Sequence, residues 1–257
     1  MKVHAEGADV VYELLGDGGS PVLLLHGWGC DRSLMRPLAE RLKERHRVMM
    51  LDFPGHGQSG RPPEPWGVPE YAGCLRAVLD QLGFSPCAVI AHSFGARVTA
   101  YLAAEDPNRF TKIILTGAAG LRKPQSEEAK KRSEQYQRLK KWTQELRAVP
   151  GMKGLADRAQ DRLREKYGSR DYNALDEEMR KTFVKVVNQD LADCYEKIRQ
   201  STLLIWGDQD TETPLWMGQK MEQLIPDAGL VVFEGGTHFA YLEQLDRFVL
   251  IAENFLG

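Results

Sequence analysis

Short apolar runs, several of them continuous, recur along the chain at residues 10–14, 22–25, 48–51, 87–91, 113–116, 203–206 and 230–233. Runs of this length predict strands, and those without polar alternation predict strands covered on both faces. Between them, apolar positions at helical spacing predict helices over 33–45, 71–82, 94–106 and 244–255. Strand and helix alternating with short connections define an α/β chain, with a mostly parallel central sheet and helices on both faces. In such sheets ligands bind beyond the carboxyl ends of the strands, so chemistry is to be sought immediately after each apolar run.

The alternation stops between 121 and 200, where four helical stripes follow one another. Tyr136, Leu139, Leu146 and Val149 form the first, and Met152, Leu155, Ala159, Leu163 and Tyr167 the second, which Gly168 would end as a C-cap. Met179, Phe183, Val186 and Val187 form the third, and Leu191, Cys194 and Ile198 the fourth. The expected organisation is a core domain made of 1–120 and 201–257, with an all-helical cap, 121–200, inserted as a lid. This segment holds 20 Lys and Arg against 14 Asp and Glu, whereas the rest of the chain carries 14 against 22. We read that excess as the solvated outer faces of amphipathic helices.

A chain of 257 residues is long enough for one large α/β domain, and 42% hydrophobic with 27% charged residues excludes disordered and collagen-like classes. A net charge of -2 offers nothing to a polyanion, so no nucleic-acid partner is expected. No apolar run approaches the ~20 residues a membrane span needs, and the first residues lack a signal-peptide pattern, so a cytoplasmic location is expected. Cys30, Cys74, Cys87 and Cys194 are widely spaced and read as reduced structural thiols, and no metal-ligand spacing is present.

Ala91-His92-Ser93-Phe94-Gly95 stands where a predicted strand gives way to a predicted helix. A serine on so sharp a turn exposes its Oγ at the sheet edge, and the turn demands small residues two positions before and after it. Ala91 and Gly95 meet that demand, although Ala91 departs from the usual GxSxG. After the run 203–206 comes a loop with two aspartates, Asp208 and Asp210. After 230–233 comes His238, the only histidine beyond that loop. Nucleophile, acid and base thus fall in the order Ser, Asp, His, each after a strand, the order of a nucleophile-elbow hydrolase.

With these motifs the chain resembles the α/β-hydrolase family over nearly all of its length outside the helical insertion. His26-Gly27-Trp28-Gly29 is similar to the family's oxyanion loop, and Asp52-Phe53-Pro54-Gly55-His56-Gly57-Gln58-Ser59 to its signature turn. The resemblance implies Ser93 as nucleophile, His238 as base and, three residues past Gly207, Asp210 as the acid, leaving Asp208 to shape the turn. It implies an oxyanion hole built from the backbone N–H groups of Trp28 and Phe94, and no cofactor. His92, Trp142 and Phe239 are expected to line an apolar substrate pocket. His26 and His56 are expected to hold their loops, His4 and His46 to be surface residues, and Arg97 to be partly buried against a carboxylate.

The implied activity is hydrolysis of carboxylic esters of small or medium apolar or aromatic molecules through an acyl-enzyme. Two alternatives stand beside it: hydrolysis of a carbon–carbon bond in a vinylogous diketone, and a slow-turnover, hydrolase-like receptor for a small molecule.

Overall fold

In a computed structural model that describes residues 1–122, 127–167 and 170–257, the chain is built on β1 (Lys2–Ala5), β2 (Ala8–Leu15), β3 (Ser20–Leu25), β4 (His46–Leu51), β5 (Cys87–His92), β6 (Phe110–Thr116), β7 (Thr202–Gly207) and β8 (Ala228–Phe233). They form one sheet in the order β1-β2-β4-β3-β5-β6-β7-β8. β2 is antiparallel to both β1 and β4, and every other pairing is parallel. Seven strands match the apolar runs. β1 does not, because it is only four residues long with Lys2 and His4 exposed, and it is held to β2 by a turn in which Glu6 and Gly7 both have positive φ.

The helices are α1 (Arg36–Leu42), preceded by a 3-10 turn at Arg32–Met35, α2 (Val68–Gln81), α3 (Phe94–Glu105), α4 (Glu127–Arg147), α5 (Lys153–Tyr167), α6 (Arg170–Ala174), α7 (Glu177–Asn188), α8 (Ala192–Tyr195), α9 (Trp216–Leu224), α10 (Ala240–Glu243) and α11 (Leu245–Leu256). The period of two along each strand sorts the core into two layers. Leu23 and Leu25 of β3, Met49 and Leu51 of β4, and Val89 and Ala91 of β5 face one cluster, shared with α2, α3, α8 and α9. Val22 and Leu24, Val48 and Met50, and Ala88 and Ile90 face the other, shared with α1, α10 and α11. Each fully buried Leu or Ile in these layers contributes ~1.5–3 kcal/mol, which is why the central strands carry no polar alternation. This is a mostly parallel sheet flanked by helices, with an inserted helical cap.

Two compact units result: Met1–Leu121 with Val184–Gly257, and Arg122–Phe183. The return to the first unit comes earlier than residue 201, because Leu191, Tyr195 and Ile198 are core residues and the Leu191 N–H donates to the Gly120 carbonyl (2.8 Å). Arg97 of α3 also ties this return segment: its Nη1 donates to the carbonyls of Val186 (3.1 Å) and Gln189 (3.0 Å). The expected carboxylate is replaced by the carbonyl end of α7, where the helix leaves acceptors without intrahelical donors.

Within the described part of the helical unit, Thr143 and Ala156 are buried on the same faces as the expected stripes, with Tyr136, Leu139 and Leu146 and with Met152, Ala159 and Leu163 half-buried beside them, whereas Val149 and Leu155 are exposed. Gly168 lies outside the described residues. No helix among the described residues is long and apolar enough to cross a membrane. His46, expected at the surface, is buried at the start of β4, where its backbone lies under the turn at Gly16 and Gly19.

Candidate active site

β5 runs buried through His92 and hands over directly to α3, leaving Ser93 at φ 49°, ψ -101°. A positive φ in a residue with a Cβ is strained by about 1–3 kcal/mol and persists only where the surroundings hold it. Here the Ser93 N–H donates to the Thr116 carbonyl (3.1 Å), the Ala119 N–H donates to the Ser93 carbonyl (3.3 Å), and the Gly95 N–H donates to the His26 carbonyl (3.1 Å). A Cβ at Gly95 would lie 2.8 Å from both the Cβ and the carbonyl oxygen of Leu25, so only glycine lets α3 approach β3 this closely. Every residue of 87–100 is buried except Ser93, which is half-buried. Strain and exposure coincide on the one hydroxyl that the turn presents.

Asp210 and His238 meet. His238 Nδ1 is 2.8 Å from Asp210 Oδ2, and both residues are buried. The other carboxylate oxygen accepts the N–H groups of Glu212 and Thr213, each at 2.9 Å. Burial alone would raise the Asp210 carboxyl, but the bonds from His238 and Thr213 outweigh it and hold the group below its ordinary value. Asp208, the other aspartate of the loop, instead accepts the Gly235 N–H (2.8 Å) and ties the two loops together.

The segment after β6 connects this pair to the elbow. Thr116 and Ala119 hold the Ser93 backbone, and Gly117, at φ 50°, is packed so that a Cβ would fall 3.0 Å from His238 Nδ1. Thr213, to which the sequence reading assigns no role, is the linking group: its Oγ1 lies 2.8 Å from Asp210 Oδ2, 3.2 Å from His238 Nδ1 and 3.0 Å from the Gly117 carbonyl. Its one signal was its place three residues after the acid. Glu212, exposed, sets a second carboxylate 3.7 Å from His238 Nε2.

The His26 ring clamps the loop after β3: Nδ1–H donates to the Gly27 carbonyl (2.7 Å) and Nε2 accepts the Phe53 N–H (3.0 Å). Asp52, fully buried, accepts the N–H groups of Arg32 (2.7 Å) and Gln58 (2.9 Å) and pairs with the Arg32 guanidinium. The turn around His56 is therefore held by its own aspartate. Trp28 packs edge-on against His56 and Phe94, with ring centroids 4.8 and 5.2 Å away. The Phe94 amide is the first of α3, where the helix supplies no acceptor and its dipole favours negative charge. The Phe94 side chain is buried among Phe53, His56 and Tyr71.

Of the expected pocket residues, Phe239 is half-buried beside His92 and His238. His92 corrects the expectation: it is 1% exposed, and its Nε2 contacts the His238 carbonyl at 3.0 Å, because it is the last residue of a fully buried strand. Trp142 stands on α4 of the second unit, 54% exposed. Cys74 and Cys87 are buried and free, with burial pushing both thiols up to about 12.

A family model described as alpha/beta hydrolase fold matches residues 20–245, and the chain belongs to this family. Among curated proteins it is similar to a pimeloyl-[acyl-carrier protein] methyl ester esterase of Neisseria meningitidis serogroup C, 27% identical over 255 residues covering 93% of this chain and 94% of that one. Among solved structures it resembles a meta-cleavage product hydrolase from Pseudomonas fluorescens, with a TM-score of 0.73 and 21% identity, covering 99% of this chain and 96% of that one. It also resembles the enol-lactonase from Burkholderia xenovorans, with a TM-score of 0.75 and 22% identity, covering 100% and 99%. These two structures share the fold. The protein is a hydrolase-fold enzyme.

Proposed function

We propose that this enzyme hydrolyses a bond to a carbonyl carbon in a small molecule, using Ser93 as nucleophile, His238 as general base and acid, and Asp210 as the group that orients it. The observation that carries this reading is the buried 2.8 Å contact between His238 and Asp210, held by the same segment, 116–119, that holds the strained Ser93. Asp210 accepts from Nδ1–H, so the Nε2 lone pair is the one available for the serine proton. Ser93 Oγ attacks the carbonyl carbon as His238 Nε2 takes its proton. The oxyanion is received by the amides of Phe94 and Trp28, each such donor supplying ~3–4 kcal/mol in the transition state. His238 then gives the proton to the leaving group, and water attacks the acyl-enzyme with His238 as base again.

Two scissile bonds suit this chemistry. Likeness to the meta-cleavage product hydrolase favours carbon–carbon cleavage in a vinylogous diketone, the alternative in the sequence reading, in which the proton goes to an enolate carbon. Likeness to the methyl ester esterase favours an ester, in which it goes to an alkoxide oxygen. The triad is common to both, and the leaving group differs.

The test is side-by-side turnover of a coloured dienoate diketone and of short- and medium-chain nitrophenyl esters, by wild type and Ser93→Ala. One class is expected to exceed the other by about 100-fold or more in kcat/KM, and Ser93→Ala to lose ~10⁴-fold or more on the preferred substrate. Equal rates in wild type and variant would overturn the assignment of the nucleophile.

A further inference from the structure

His92 precedes the proposed nucleophile, is 1% exposed, and carries two ring nitrogens in different situations. Nε2 is 3.0 Å from the His238 carbonyl oxygen. A carbonyl oxygen only accepts, so the proton is on Nε2, and Nδ1 is left with a lone pair. Nδ1 is buried and has no hydrogen-bond partner among the described residues. Its edge of the ring lies against Gly27 of the loop that follows β3, where a Cβ would come 2.8 Å from Nδ1 and 3.2 Å from Cε1. The remaining faces meet the rings of His238, Phe239 and Tyr241 at centroid distances of 4.7, 5.1 and 5.0 Å.

A phenylalanine would fill this space without a buried, unsatisfied nitrogen, which costs ~1–3 kcal/mol. The Nε2–H donor is the feature that only the histidine supplies, and it is aimed at the backbone of the proposed base. The ring also touches the loop that carries one proposed oxyanion donor, while its own backbone continues into Ser93. Burial lowers its pKa to about 3, so it stays a neutral, single-donor ring at working pH.

We propose that His92 is a positioning residue: by donating to the His238 carbonyl and packing on Gly27, it sets the base loop and the oxyanion loop in register around Ser93. This rests on the reading of Ser93 and His238 given above. Misplacing reacting groups by about 1 Å costs up to ~100-fold in rate, which sets the size of the effect.

The test compares His92→Phe, His92→Gln and His92→Asn with wild type, after counting active sites with a chromogenic phosphonate that modifies the nucleophile. Gln carries a terminal N–H donor to about the position of imidazole Nε2, whereas Asn is too short. His92→Phe is expected to melt near the wild-type temperature, with kcat per titrated site down by about 10–100-fold and KM within about threefold. His92→Gln is expected to recover most of that loss and to exceed His92→Asn by about tenfold, a ranking that also serves if His92→Phe does not fold. Wild-type kcat per site in a folded His92→Phe, or equal kcat in the Gln and Asn variants, would overturn the proposal while leaving Ser93 in place. If the phosphonate does not modify Ser93 in the wild-type protein, the underlying reading fails and the role of His92 fails with it.

Discussion

Asp210→Asn is expected to lower kcat by about 10⁴-fold while leaving the protein folded. The direction follows from the hydrogen bonds around the carboxylate. Its Oδ1 accepts two backbone N–H groups, from Glu212 and Thr213, so in an asparagine the side-chain oxygen must occupy that position. The amide NH2 is then turned toward His238 Nδ1, where Oδ2 stood 2.8 Å away. An N–H donor there requires a lone pair on Nδ1 and drives the imidazole proton onto Nε2. An Nε2 that already carries a proton cannot take one from Ser93. Steady-state turnover of the preferred substrate measures the loss, and circular dichroism checks the fold. A reduction of less than about tenfold would mean that Asp210 does not set the tautomer of the base.

Stability is expected to fall steeply as the pH drops from about 6.5 toward 4. Burial pushes His26 down to about 4, and His56 and His92 down to about 3. In the unfolded chain each titrates near ~6.5. Between these values the unfolded chain binds up to three more protons than the folded one, so acid favours unfolding, by up to about 4 kcal/mol per pH unit in the steepest range. Above pH ~7.5 all three are neutral in both states, and their contribution is full and constant. Each has a structural reason to stay neutral. His26 Nε2 accepts the Phe53 N–H, the His56 ring stacks on Phe94 with centroids 5.9 Å apart, and His92 is enclosed by three rings. Urea midpoints across pH 4.5–7.5 measure this, with an unchanged m-value at each pH. A midpoint that stays level down to pH 4.5 would mean that these rings are not held neutral by burial.

Most of the sheet was legible because β3 to β8 are short and apolar, and the proposed catalytic residues each follow a strand end. Ser93, Asp210 and His238 stand out in sequence for the same physical reason, since loops at the carboxyl ends of parallel strands converge. What the pattern does not carry is partner identity. Thr213 is one threonine in an irregular loop, with no period to mark it as the link among Asp210, His238 and Gly117. Arg97 sits at a spacing that says buried, but whether a carboxylate or the carbonyls of Val186 and Gln189 receive it depends on where the insertion returns. His46 is surrounded in sequence by charged residues and is buried through the turn that covers it. His92 follows an apolar strand, which signals burial, yet the His238 carbonyl that it meets lies 146 residues away.

The most direct test of the central claim is covalent. Wild-type protein treated with an organophosphonate ester, digested and read by mass spectrometry, is expected to carry the adduct on Ser93, with the rate of labelling reduced ~10⁴-fold in Asp210→Asn. An adduct on another residue, or equal labelling of Ser93→Ala, would contradict the assignment of the nucleophile and the mechanism built on it.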